Sequence, residues 1–227
     1  TRLGLAGIPS LSESLALATL IALARETGAR LHVCRISAAE SVDLVRAAKR
    51  DGIGVTCDVA IHHVHLCDVD IGWFDAAAHL APPLRGTRDR DALRTGLADG
   101  TIDAIASDHT PVDDDAKQLP FAEAEAGATA LELLLPLTLK WASESGIALP
   151  QALRRITSRA GDILGVAGAG TLDVGAPADL CVFDPRAHWR VERGALRSQG
   201  KNTPFLGLEM QGKVRATLVG GRTVYEG

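Results

Sequence analysis

The sequence has no apolar run long enough to cross a bilayer, no excess of basic residues and no closely spaced cysteine pair. A transmembrane helix needs about 20 consecutive apolar residues, so a membrane-spanning protein is excluded. The 24 basic residues are outnumbered by 28 acidic ones, which gives a formal net charge of −4. Such a chain has no general electrostatic footprint for nucleic acid or an anionic membrane. We therefore expect neither among its partners.

The cysteines form no C-x-x-C motif and stand far apart, at Cys34, Cys57, Cys67 and Cys181. Three lie within or beside apolar strand-like runs, which favours buried free thiols in a cytosolic protein. Residues Thr1–Gly4 lack the apolar core that follows the basic end of a signal peptide, so we expect a cytoplasmic location. The chain also has no initiator Met, and we expect the natural protein to begin upstream.

The chain does have the size and composition of a folded globular protein. Its 227 residues are 46% hydrophobic and 23% charged, which suits one or two domains with a substantial core. No internal repeat and no low-complexity run interrupts it. A disordered tail or a disulfide-stapled miniprotein is therefore excluded.

Helix-like and strand-like segments alternate in the first half. The first predicted helix runs from Ser10 or Ser12 to about Glu26, is closed by Gly28 and is followed by a strand at 31–34. A second helix, which Ser37 caps while Glu40 completes a capping box, ends near Arg50 and leads to a strand at 53–60. After an irregular stretch at 61–84, a third helix runs from Thr87 to Gly100 and precedes a strand at 101–107. Helical crossovers between apolar strands favour a parallel sheet, either open or closed into a barrel. No G-x-G-x-x-G or P-loop motif supports the open, nucleotide-binding form. A TIM-type (β/α) barrel is therefore favoured, although only about half of its units are visible.

The second half changes character after Gly168. Helices are predicted at about 124–143, 150–157 and 159–166, whereas residues 178–183 and 214–225 alternate as strands. A small β module should therefore follow the partial barrel, with these two tail strands lying together.

Polar residues follow the three predicted strands at the edge where barrel enzymes place their active sites. They are Arg35-Ile36-Ser37, His62-His63-Val64-His65 and Ser107-Asp108-His109. Converging imidazoles and a carboxylate are the components of a hydrolytic metal site, in which Zn²⁺ lowers the pKa of bound water.

Each of these residues also has a plainer interpretation. The three histidines suit loop side chains bonded to nearby carbonyls, Asp108 suits a turn before Thr110-Pro111, and Arg35 suits a solvated charge. The acidic run at 113–115 is interpreted as a solvated loop, with no ligand role.

Four segments of the first half resemble, in order, the successive motifs of dihydroorotases in the amidohydrolase superfamily: LHVCRIS at 31–37, VTCDV running into His62-His63, PPLR at 82–85 and IASDHTP at 105–111. Residues 170–180 and 200–205 are similar to the family's C-terminal β-sandwich segment. The resemblance implies that residues 1–168 are the C-terminal part of the barrel and that 169–227 are the β-sandwich segment, with a return to the barrel around 186–210. It also implies a zinc-dependent enzyme of pyrimidine biosynthesis that reversibly closes carbamoyl aspartate to dihydroorotate.

The chain departs from the family pattern at its metal site. In the family, an H-x-H pair and a bridging carboxylate precede the segment that this chain resembles. His63 matches a metal ligand, and Asp108 matches a ligand and general base, but Arg35 stands where a histidine ligand is expected. A guanidinium stays protonated and has no lone pair to offer a metal. Two substrate contacts, an asparagine and a histidine, are replaced by Ala81 and Val112.

Two hypotheses follow, and they differ in whether the protein is an active enzyme. The first is a catalytically silent, metal-free homologue that forms homo-oligomers and acts as a structural partner of aspartate transcarbamoylase. The second is an active zinc-dependent dihydroorotase or a related cyclic amide hydrolase. Under the first, Arg35 should lie beside His63 and Asp108 and pair with Asp108 in place of a metal.

Overall fold

A computed structural model describes residues 4, 5 and 7–227. Residues 1–3, which belong to the segment expected not to be a signal peptide, lie outside the described residues. The first half contains helices α1 (Ser10–Thr27), α2 (Ala39–Arg50), α3 (Ile61–His65) and α4 (Thr87–Asp99), and strands β1 (Leu31–Val33), β2 (Val55–Ala60) and β3 (Ala104–Ala106). The second half contains helices α5 (Asp114–Lys117), α6 (Leu134–Ser145), α7 (Leu149–Arg154) and α8 (Ser158–Leu164), and strands β4 (Leu180–Arg190), β5 (Glu209–Val219) and β6 (Arg222–Glu226).

Strands β1, β2 and β3 form a parallel sheet in that order, as the alternating pattern predicts. Val55, Cys57 and Val59 alternate along β2 and belong to the hydrophobic core beneath the helices. Since side chains alternate across a strand, Thr56 and Asp58 lie on the opposite face. The carboxyl ends of the three strands share one edge, which is where β1, β2 and β3 lead into Arg35, His63 and Asp108.

The predicted helix caps are wrong in detail. Helix α2 begins at Ala39, and Ser37 instead donates its hydroxyl to Glu13 of α1. The Asp89 carboxylate, which belongs to α4, accepts the backbone N–H of Ala39. A neighbouring helix therefore supplies the capping group that the local S-x-x-E pattern predicts.

Other boundaries also shift. The cap residues of α1 and α4 are Pro9 and Gly86, and neither Ser10 nor Thr87 caps its helix by a side-chain hydrogen bond. The irregular stretch after β2 contains helix α3 and two 3₁₀ turns, Asp68–Ile71 and Ala76–Ala78.

The helix predicted from residue 124 begins only at Leu134, after a 3₁₀ turn at Leu131–Leu133. Gly127 has a φ of 140°, a conformation that an α-helix cannot contain. The N–H of Gly127 donates to His79, while Ala128 bridges to His109. Tertiary contacts to the strand-end loops therefore override the apolar, helix-favouring composition.

The tail strands lie together, as predicted. Leu180 pairs with Leu218 and Phe183 with Val214 in an antiparallel sheet ordered β4-β5-β6. The predicted strand 214–225 is two strands, because Gly220 and Gly221 adopt positive φ at a tight turn between β5 and β6. The domain division at residue 168 stays a prediction.

Two further expectations can be compared with the described residues. Among them no helix combines the length and the hydropathy that crossing a membrane requires. The cysteine interpretation is half wrong: Cys57 and Cys67 are buried, but Cys34 and Cys181 are exposed.

Candidate functional site

Arg35 and Asp108 form an ion pair at the carboxyl edge of the parallel sheet. Arg35 Nη1 donates to Asp108 Oδ1 at 2.9 Å and to the carbonyl of Ala81 at 3.2 Å. The Asp108 side chain is 12% exposed and that of Arg35 46% exposed. The predicted pairing is therefore confirmed, and Arg35, interpreted alternatively as a solvated charge, is both partly exposed and ion-paired.

His63 lies in the same cluster and is buried. Its Nε2 donates to the carbonyls of Pro82 and Pro83, at 3.1 and 3.3 Å, next along the chain from the Ala81 carbonyl that Arg35 uses. Burial lowers the pKa of His63, and the nearby Asp108 carboxylate opposes that shift. The neutral imidazole keeps a lone pair on Nδ1, a buried atom without a hydrogen-bond partner.

The backbone is strained at both members of the ion pair. Arg35 has a φ of 56° and Asp108 a φ of 49°. A left-handed residue other than glycine costs roughly 1–3 kcal/mol and tends to occur at functional sites. Each strand thus turns sharply at its end and directs a charged side chain over the sheet.

The metal that dihydroorotases use does not fit these residues. Arg35 has no lone pair to offer a metal, and one of the two Asp108 oxygens already accepts the guanidinium, so the ligand atoms without a recorded partner are His63 Nδ1 and the second Asp108 oxygen. A divalent ion beside the guanidinium would also meet like charge. The positive charge at this position is therefore supplied by Arg35.

The two positions matched to substrate contacts carry no polar side chain. Val112 is 5% exposed, and its backbone N–H donates to Asn202 Oδ1 at 3.0 Å. Ala81 offers its carbonyl to Arg35. Neither position can reproduce the contact that an asparagine or a histidine side chain would make.

The other residues singled out in the sequence have structural partners. His65 Nε2 donates to the Leu137 carbonyl at 2.9 Å, and the His62 ring stacks on Phe205 with centroids 5.9 Å apart. His109 Nδ1 accepts the backbone N–H groups of Ala130 and Leu131. From the acidic run, Asp114 pairs with Arg193.

The sequence analysis missed a second polar cluster. His32 and Cys34, at the end of β1, lie beside Asp58 of β2. Asp58 Oδ2 is 2.9 Å from His32 Nε2, and Asp58 Oδ1 accepts the backbone N–H of Arg35 at 2.8 Å. The spacing of two residues between His32 and Cys34 is the signal that places both on one face of a strand.

With this geometry in view, comparison with known proteins identifies the family. A model described as "Amidohydrolase family" matches residues 3–224. The chain belongs to this family. The matched range includes both the parallel sheet and the tail.

The relatives agree with the resemblance seen in the motifs. The chain is 43% identical to the dihydroorotase of Geobacter sp. (strain M21) and 42% identical to that of Geotalea daltonii, in each case over 226 residues. These alignments cover 100% of this chain and 53% of each relative. The chain therefore spans about half the length of the curated relatives that it matches.

Solved structures confirm the fold. The L-hydantoinase (dihydropyrimidinase) from Arthrobacter aurescens superposes with a TM-score of 0.87 at 28% identity, covering 96% of this chain and 49% of that one. The D-hydantoinase (dihydropyrimidinase) from Thermus sp. gives a TM-score of 0.88 at 24% identity, with the same coverage. The fold is thus part of a TIM-type barrel with its β segment.

Proposed function

We propose that the full-length protein is a catalytically silent dihydroorotase-like subunit of de novo pyrimidine biosynthesis and a cytoplasmic structural partner of aspartate transcarbamoylase. The observation that carries this proposal is the ion pair between Arg35 Nη1 and Asp108 Oδ1 at 2.9 Å. In this pair the Arg35 guanidinium occupies the Asp108 carboxylate, which matches the family residue that binds metal and accepts a proton from water.

The expected loss of activity is large. A charge-assisted contact is worth roughly 1.5–3 kcal/mol, and a factor of ten in rate corresponds to about 1.4 kcal/mol. Replacing one ligand and two substrate contacts should therefore cost about a thousand-fold or more. The side chains of Ala81 and Val112 offer no hydrogen bond to the substrate, and the Arg35 guanidinium cannot take the place of a metal ligand.

A second candidate function is an active zinc-dependent dihydroorotase or related cyclic amide hydrolase. The free Nδ1 of His63 favours it, since that imidazole keeps a metal-binding atom. The identity of more than 40% to proteins named dihydroorotase also favours it. Arg35 argues against it, because an active enzyme would need to replace a ligand from another part of the chain.

The two functions are distinguished by assaying the full-length protein for dihydroorotate hydrolysis and for the reverse reaction, with and without added zinc. We expect no turnover above background. The protein should instead co-elute with aspartate transcarbamoylase on size exclusion and change its thermal unfolding, and alone it should sediment as a homo-oligomer. Zinc-dependent turnover at an ordinary enzymatic rate would overturn the silent-subunit proposal and leave the hydrolase.

A further inference from the structure

His32, Cys34 and Asp58 form a cluster of metal-ligating side chains that the proposed function does not use. Each residue offers one ligand atom, and these atoms all lie within 4.8 Å of one another. Asp58 is 9% exposed, His32 is partly buried and Cys34 is exposed, so solvent has access from the Cys34 side. An imidazole, a thiol and a carboxylate are the donor types that zinc binds in proteins.

The His32 ring is oriented by a neighbour that suits metal binding. Its Nδ1 lies 2.8 Å from Thr56 Oγ1, and Thr56 Oγ1 is 3.4 Å from the Leu31 carbonyl. Without a metal, Nε2–H donates to Asp58 while the Thr56 hydroxyl donates to Nδ1. With a metal on Nε2, Nδ1–H donates to Thr56, whose hydroxyl can turn to Leu31. A metal-binding histidine usually donates its second ring N–H to such a partner.

The Asp58 carboxylate is held in a similar way. Its Oδ1 accepts the Arg35 backbone N–H at 2.8 Å, while its Oδ2 faces His32 Nε2 at 2.9 Å. One oxygen is therefore fixed by the main chain, and the other is free to exchange its contact with the imidazole for a metal bond. The carboxylate is thus already oriented for binding through a single oxygen.

Cys34 completes the set. Burial and the Asp58 carboxylate raise the pKa at which its thiol loses a proton, and the nearby Arg35 charge opposes that shift. A bound divalent cation would displace that proton to solvent. The resulting thiolate and the Asp58 carboxylate carry two negative charges, which balance the two positive charges of the ion.

We propose that His32 Nε2, Cys34 Sγ and one oxygen of Asp58 bind a zinc-class divalent cation, with water at the fourth position. This site shares no side chain with the cluster of Arg35, His63 and Asp108 matched to the family's ligands, although it adjoins that cluster through the Arg35 backbone N–H. The proposal goes beyond the silent-subunit function and does not depend on it, because it requires no turnover.

Cobalt(II) titration of the full-length, metal-depleted and reduced protein tests the proposal, because thiolate ligation produces an intense near-ultraviolet charge-transfer band. We expect each protein chain to bind one cobalt ion at this site and to show the charge-transfer band. Added zinc should displace the cobalt and remove the band. Cys34→Ser should abolish the band, whereas Cys181→Ser, which removes the other exposed thiol, should leave it unchanged. Thr56→Val should weaken binding roughly 10–100-fold by removing the partner of the His32 ring.

The outcomes are distinguishable from those of the function assay. No cobalt binding, or a band that persists in Cys34→Ser, would overturn the metal site whatever the turnover result. Cobalt bound without the band and lost in Asp108→Asn would assign the ion to the family position and also overturn this proposal. Thermal unfolding of each variant without metal shows whether lost binding reflects lost folding.

Discussion

Arg35 Nη1 lies 2.9 Å from Asp108 Oδ1, joining two residues 73 positions apart in the chain, both with positive φ. Arg35 follows β1 and Asp108 follows β3, so the pair spans the middle strand of the sheet. The sharp turn at each strand end brings the two charges together. Two strand ends with left-handed backbone conformations thus bring a guanidinium and a carboxylate into contact.

This ion pair should contribute modestly to stability. Arg35 is nearly half exposed, so solvent screens the interaction, and we expect a coupling free energy of about 1 kcal/mol between Arg35→Ala and Asp108→Ala. A double-mutant cycle by urea denaturation of the full-length protein measures it. The matched control is the pair Arg25 and Asp51, whose side chains are both more than half exposed and for which coupling should stay below about 0.5 kcal/mol. Equal coupling in both pairs would contradict the special role of Arg35.

The substitution Arg35→His should not restore dihydroorotate hydrolysis. It returns one imidazole to the site but leaves Ala81 and Val112 without polar side chains, and effects within one site are not additive. Turnover should stay at background with added zinc. A companion variant that also carries Ala81→Asn and Val112→His tests whether the substrate contacts are the remaining deficit. Activity in the single variant at an ordinary enzymatic rate would show that Arg35 alone silences the site.

Local sequence pattern predicted the strand order and the site better than the helix boundaries. Alternating apolar strands and their polar ends placed Arg35 and Asp108 at one edge, because parallel strands present the same ends there, whereas their pairing was predicted from the resemblance to dihydroorotases. The pattern failed at Ser37 and at 124–133, where contacts from distant residues decide the structure. Ser37 bonds to Glu13, and Gly127 to His79, and neither contact has a signal in the local sequence.

The candidate metal cluster was missed for a related reason. His32 and Cys34 fall within an apolar segment, in which Cys34 was expected to be a buried thiol and His32 was given no role. Their neighbour Asp58 comes from the next strand, and the register of Leu31 opposite Val55 brings it alongside. Register is a tertiary property, so a cluster assembled across two strands is difficult to find in one sequence.

Asp103 should be among the most sensitive residues for folding. Its side chain is 2% exposed, and its carboxylate accepts from Lys49 at 2.6 Å, Arg159 at 2.7 Å and the Cys57 backbone N–H at 3.0 Å. Asp103→Ala would leave these donors without their shared partner, which should lower the free energy of unfolding by about 3–5 kcal/mol. Urea denaturation measures this loss.

The control for Asp103 is Asp51, an exposed residue that pairs with Arg25. Asp51→Ala should cost less than about 1 kcal/mol. A loss for Asp103→Ala no larger than that for Asp51→Ala would show that the buried network is energetically neutral.

Two histidines, the buried His62 and the partly buried His65, should make the fold sensitive to mild acid. Burial lowers the pKa of His62 to about 3 and that of His65 to about 4, below the ordinary value near 6.5. The folded state therefore favours the neutral rings, and the unfolded state binds their protons first. Their contribution to stability is complete above about pH 6.5 and is lost as the pH falls toward 4. Each histidine should add a slope of about 1.4 kcal/mol per pH unit in that window.

Replacing His62 tests this directly. His62→Phe keeps an aromatic ring against Phe205, where the two rings are nearly parallel at 17°, and removes one titrating group. The free energy of unfolding, measured by urea denaturation from pH 7 to pH 4.5, should then fall less steeply by about 1.4 kcal/mol per pH unit. His188→Gln, which replaces an exposed histidine, is the matched control against which the slope of His62→Phe is compared. A His62→Phe slope equal to that of the unmodified protein would mean that His62 binds no additional proton on unfolding, and hence that its ring is not held neutral in the fold.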